Sequence, residues 1–128
     1  MTEAALLEKL KESAKSAARS AYCPHSGYAV GAAVLADDGR IFDGCNIENA
    51  SYSLTVCAER VAIFKAVSAG AKKITALYVY SDSGKPPYPC GACRQVLSEF
   101  CDDATIVVSD GKTDMITSLE KLLPYGFR

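Results

Sequence analysis

Leu6, Leu7, Leu10, Ala14, Ala17, Ala18 and Ala21 recur at three- and four-residue spacing, with Glu8, Lys9, Lys11, Glu12 and Lys15 between them, which predicts an amphipathic helix. Tyr22-Cys23-Pro24-His25-Ser26-Gly27 breaks that pattern. Tyr28 to Ala36 is small, apolar and Val-containing, Asp37-Asp38-Gly39-Arg40 is turn chemistry, and Ile41 to Cys45 resumes an extended apolar pattern, so the three together predict a β-hairpin. Asn46 to Thr55 is polar and turn-forming. Helical periodicity follows from Val56 to Ala69, with a start near Cys57 and a stop at Gly70. Ile74 to Ser81 is a continuous β-favouring run, the proline-containing segment 82–89 is a loop, and a third helix is predicted from about Cys90 to Phe100. Thr105 to Ser109 is a short β-branched strand, Asp110-Gly111 a turn, and Ser118 to Leu123 a last helical turn or two. Helices alternating with strands, opened by a hairpin, imply helices on both faces of one mixed sheet: the fold class is α/β.

The chain has 128 residues, 49% apolar and 23% charged, the size and mix of a single domain spanning 1–128. A net charge of −1 provides no concentrated basic surface for a polynucleotide backbone, so nucleic acid is not an expected partner. No stretch approaches the ~20 apolar residues that span a bilayer, and the segment from Met1 to Ser20 is rich in Glu and Lys rather than carrying an apolar export core. The expectation is a cytoplasmic protein without a membrane partner. In that reducing compartment, six cysteines point to metal ligation or catalysis rather than to disulfides.

Cys57-Ala58-Glu59 opens one predicted helix and Pro89-Cys90-Gly91-Ala92-Cys93 opens another. Thiols at i and i+3 of a helix start share one side of the first turn, and the partial positive charge there favours the thiolate. Three thiolates from two helix ends make a soft, compact site suited to one tetrahedral Zn²⁺ per chain, with the fourth position left for water and Glu59 beside it. A lone C-x-x-C suits a structural zinc knuckle or a redox pair at least as well. The redox pair, however, needs no third cysteine, and the structural zinc site has no use for Glu59.

A zinc ligand, any residue and Glu, followed later by Pro-Cys-x-x-Cys, is the known signature of zinc-dependent deaminases. The chain resembles the small homotetrameric cytidine deaminases almost end to end. The resemblance runs through Ala21-Tyr22-Cys23-Pro24, Val30-Gly31-Ala32-Ala33, the segment from Gly44 to Tyr52, Cys57-Ala58-Glu59-Arg60, the segment from Pro89 to Gln95, and Leu122-Leu123-Pro124. It implies a three-layer α/β/α fold around a mixed five-stranded sheet. It implies hydrolytic deamination of free cytidine and deoxycytidine, a place in pyrimidine salvage, and a homotetramer whose active sites are shared between subunits.

By the same resemblance Cys57, Cys90 and Cys93 are the zinc ligands and Glu59 is the one catalytic carboxylate, serving as base and acid. Asn46 and Glu48, two residues apart in an extended segment, would hold the sugar 3′-hydroxyl from one face. Tyr28 stands where the family usually has a phenylalanine packed on the pyrimidine, and Ala58 belongs with the substrate-binding residues. Phe127 would reach into a neighbouring subunit's site, and Arg60 would hydrogen-bond the ligand thiolates. A nucleoside-antibiotic deaminase of the blasticidin type shares the zinc motif, but the Asn46 to Tyr52 segment favours a plain nucleoside. His25, the single histidine, matches no ligand spacing and is expected to be a loop side chain; Cys23, Cys45 and Cys101 are expected to be small buried apolar residues.

Overall fold

The Thr2 hydroxyl accepts the Ala5 N–H and starts helix α1 (Glu3–Ala18), which buries Leu10, Ala14 and Ala17 along one stripe. The computed structural model describes residues 2–128; Met1, the first residue of the expected domain, lies outside the described residues. Strands β1 (Gly31–Ala36) and β2 (Ile41–Cys45) form the expected antiparallel hairpin, closed by a turn in which Gly39 takes φ +91°. β1 also pairs antiparallel with β3 (Ile74–Tyr80), β3 runs parallel to β4 (Thr105–Ser109), and β4 pairs antiparallel with β5 (Asp114–Ser118). The sheet is therefore mixed and five-stranded, in the order β2-β1-β3-β4-β5. A parallel pair needs a crossover, and α3 (Gly91–Phe100) provides it between β3 and β4.

Alternation along the strands divides the core in two. Ala32, Val34, Leu77, Val79, Ile106 and Val108 face Ala58, Ala62, Ile63 and Ala66 of α2 (Ala58–Ser68), Leu97 of α3 and Leu119 of α4 (Leu119–Leu122). Ala33, Ala76, Tyr78, Tyr80 and Val107 face Leu10 and Ala14 of α1 on the other side. Two helical layers thus sandwich the sheet, as the α/β reading requires. β5 has no counterpart in the periodicity: Met115 and Ile116 are its only apolar residues, and Ile116 is exposed on this edge strand.

Close backbone approach sets where α2 begins. A Cβ on Gly44 of β2 would lie 2.6 Å from both the Ala58 carbonyl oxygen and the Ala62 nitrogen, so α2 packs on the sheet at a separation only glycine permits. Gly44→Ala should lower the unfolding free energy by about 1–3 kcal/mol, the usual cost of an overpacked core, as measured by chemical denaturation.

Candidate metal centre and substrate cavity

Cys57 is the N-cap of α2 and Cys90 the N-cap of α3, so each replaces the hydroxyl or carboxylate residue usual there. The Cys90 Sγ accepts the Cys93 N–H at 3.5 Å, which folds Cys93 back into the same cluster. Cys90 and Cys93 lie 3.4 Å apart at sulfur, Cys57 and Cys90 3.8 Å, and all three sulfurs lie within 4.8 Å of one another. Among the described residues no other group of His, Cys, Asp or Glu side chains is gathered this way. Two helix N-termini converge on the sulfurs, and their partial positive charge favours thiolates.

The neighbouring Cys93 thiol, then Arg60 and the Cys90 thiol, draw Cys57 down to about 5 against the opposing effect of burial. Cys93 shifts upward, held as a donor by Cys57 and by its own burial. Arg60 sets one Nη2 3.7 Å from Cys57 Sγ and 3.4 Å from the Thr55 carbonyl, while its buried Nε has no hydrogen-bond partner. An unpaired buried N–H beside thiols is costly and is compensated if the sulfurs carry negative charge. Three soft donors, a cationic neighbour and an open fourth side fit Zn²⁺. Arg60→Gln should weaken zinc retention by about 10–100-fold in a chelator competition, the usual cost of removing a group that hydrogen-bonds a metal ligand.

Glu59 follows in the first turn of α2 and is 4% exposed. Burial, opposed by a backbone hydrogen bond and reinforced by the Cys57 charge, pushes its carboxyl up to about 7. A carboxyl poised there can take and return a proton near neutral pH. It lies on the wall of a cavity of about 450 Å³, together with Tyr28, Asn46, Glu48, Cys57, Ala58 and Cys90. Val30, Thr55, Tyr52, Ser26 and the Pro86-Pro87-Tyr88 loop complete the lining.

Tyr28 precedes β1 instead of lying in a strand, and its hydroxyl donates to the Lys85 carbonyl at 3.3 Å, tying the 82–89 loop to the wall. Asn46 bridges the same segment: its Oδ1 accepts the Val30 N–H at 2.9 Å and its Nδ2 donates to the Tyr28 carbonyl at 2.7 Å. Glu48 accepts from the Ser26 hydroxyl and from the His25 and Ser26 N–H groups, which hold its carboxyl below the usual range. His25 contributes its backbone N–H to Glu48 from a turn, as a loop residue outside the sulfur cluster. Phe127 does not line this cavity; it lies beside a second one, of about 320 Å³, at the C-terminal end of α3. Cys101 is buried as expected, but Cys23 and Cys45 are only half-buried, because they flank the surface bridge between Tyr22 and Ile47.

The chain reading missed Arg94. Its Nε donates to the Pro89 carbonyl at 2.7 Å and its Nη1 to the Leu122 carbonyl at 2.8 Å, which fixes the turn carrying Cys90 against α4. Its place in the segment from Pro89 to Gln95, four residues after Cys90, was the signal available in the sequence.

A mixed sheet that brings two helix N-termini to three thiols and a buried carboxyl defines the class: an α/β protein with a candidate thiolate metal centre and an acid–base group beside it. Residues 5–109 match the family model for the cytidine and deoxycytidylate deaminase zinc-binding region. The chain is 50% identical over 123 residues to a cytidine deaminase of Sporosarcina psychrophila, covering 94% of this chain and 90% of that protein. The crystal structure of cytidine deaminase from Burkholderia pseudomallei superposes with a TM-score of 0.86 at 41% identity, covering 99% of this chain and all of that one. That of Mycobacterium tuberculosis cytidine deaminase gives 0.82 at 41% identity, over 95% and 97% of the two chains. The chain belongs to the cytidine and deoxycytidylate deaminase family.

Proposed function

We propose that this protein deaminates free cytidine and deoxycytidine to uridine and deoxyuridine, as a cytoplasmic step of pyrimidine salvage carried out by a single domain. The observation that carries the reading is Glu59: a buried carboxyl, near neutrality in pKa, set in a nucleoside-sized cavity beside three thiols. Cys57, Cys90 and Cys93 would hold one Zn²⁺, which as a Lewis acid makes water nucleophilic near neutral pH. Glu59 accepts a proton from the attacking water and passes it to N3 of the cytosine as oxygen bonds to C4. It then carries the second proton to the 4-amino group, the C4–N bond breaks, and ammonia leaves. One water is consumed and both its protons are accounted for.

Tyr28 supports the base with its ring, and Ala58 leaves room beside it. Glu48, kept as a carboxylate by its three donors, retains one lone-pair site on Oε2 for a sugar hydroxyl, and the amide of Asn46 has one N–H and one lone pair beyond its two backbone bonds. Phe127 is 78% exposed and apart from its own chain's cavity, which suits an aromatic delivered to a neighbouring subunit of a homotetramer. Tyr22, Ile47, Tyr52 and Leu54, all exposed near the cavity segment, suit the same assembly.

The test is the ultraviolet absorbance change of cytidine with purified protein, beside a metal assay and a chelator-treated control. Zinc near one per chain with chelator-sensitive formation of uridine is the expected result. Zinc without turnover of either nucleoside would reject the reading, as would faster turnover of phosphorylated or single-stranded substrates.

A further inference from the structure

Tyr125 holds φ +59°, a left-handed conformation that a non-glycine residue keeps only where its surroundings hold it. The tail that contains it is fastened to α3 at two points. Gln95 Nε2 donates to the Phe127 carbonyl at 2.9 Å. The Arg128 guanidinium donates through Nη1 to the Ser98 and Cys101 carbonyls at 3.2 and 3.0 Å, and through Nη2 to Asp102 Oδ1 at 2.7 Å. Those carbonyls are among the groups left without partners at the end of a helix, where a cation is also favoured by the helix dipole. Lys73 donates to the same Asp102 oxygen at 3.2 Å.

An exposed ion pair such as Arg128–Asp102 holds little by itself. Here the planar fork of one guanidinium engages a carboxylate and two carbonyls together, and the Gln95 bond grips the residue before it. The clasp takes the backbone of Phe127 and leaves its ring in the open. We propose that Arg128, acting through Asp102 and the last carbonyls of α3, is a positioning residue that presents the Phe127 ring to the substrate cavity of a neighbouring copy. The inference rests on the reading that Phe127 completes a neighbouring site.

The experiment measures KM and kcat for cytidine in Phe127→Ala, Arg128→Ala, Arg128→Lys and Asp102→Asn, with zinc content and oligomeric mass determined for each. Truncating the anchor in Phe127→Ala should raise KM by roughly tenfold. Arg128→Ala should raise it about 3–10-fold, the inverse of the fraction of tails still in place, with kcat, zinc and mass unchanged. Arg128→Lys should recover part of the loss, since the ammonium keeps charge and donors but lacks the fork, and Asp102→Asn should fall between. The chain has no tryptophan, so Phe127→Trp is a sole reporter, and adding Arg128→Ala should lower its fluorescence anisotropy. If Phe127→Ala raises KM but Arg128→Ala changes neither KM nor anisotropy, the clasp is overturned and the shared site stands. Dissociation of the oligomer by Arg128→Ala would also overturn it, in favour of a role in assembly. An unchanged KM in Phe127→Ala would overturn the shared site and the clasp together.

Discussion

Glu59→Gln should lower kcat for cytidine by roughly 10³–10⁴-fold while zinc stays near one per chain, because removing a positioned acid and base costs up to about that much. The substitution is nearly isosteric, and the site is already adapted to an uncharged side chain: burial pushes the carboxyl up to about 7. Folding should therefore be kept, and circular dichroism and thermal melts should overlay the parent. The sulfurs are untouched, so metal content isolates the proton-transfer role. KM should change far less than kcat, since the lost interaction belongs to the transition state. A variant that keeps zinc and turns over cytidine at the parent rate would refute the assignment of Glu59.

Cys90→Ala should remove both zinc and turnover. Two sulfurs remain, and the loss in affinity should exceed the about 10–100-fold that follows from losing a mere neighbour of a ligand. Cys90 is exposed and sits at a helix cap outside both halves of the core, so secondary structure should survive. The melting temperature should fall, because zinc that binds only the folded state no longer supports it. Chelator treatment of the parent should reproduce the variant, and added Zn²⁺ should restore the parent but not Cys90→Ala. Stoichiometric zinc with full activity in Cys90→Ala would show the ligand set to be wrong.

The elements that carry the sulfurs were legible in the chain because their signals are local. Apolar spacing placed α1, the hairpin, α2, β3, α3 and β4 close to where they stand, and the cysteine motifs fell at helix starts that the structure makes N-caps. β5 escaped because an exposed edge strand needs little apolar patterning, and only the resemblance implied a fifth strand. Tyr28 reads as strand from its neighbours, yet it precedes β1 because its backbone carbonyl is taken by Asn46 and its hydroxyl by the 82–89 loop. Arg94 and Arg128 have partner carbonyls 28 and 27 residues away in the chain, which no local pattern encodes.

By itself the sequence determined the candidate donor set, the order of every element but β5 and the family resemblance, since residue type, spacing and helical or strand period are properties of short stretches. Tertiary structure alone decided that Glu59 is buried beside the sulfurs, that Glu48 is secured by Ser26 and His25, and that Phe127 does not line its own chain's substrate cavity. Burial, charge proximity and pKa depend on distances between segments far apart in the chain, and those distances exist only once the sheet has brought the two helix ends together.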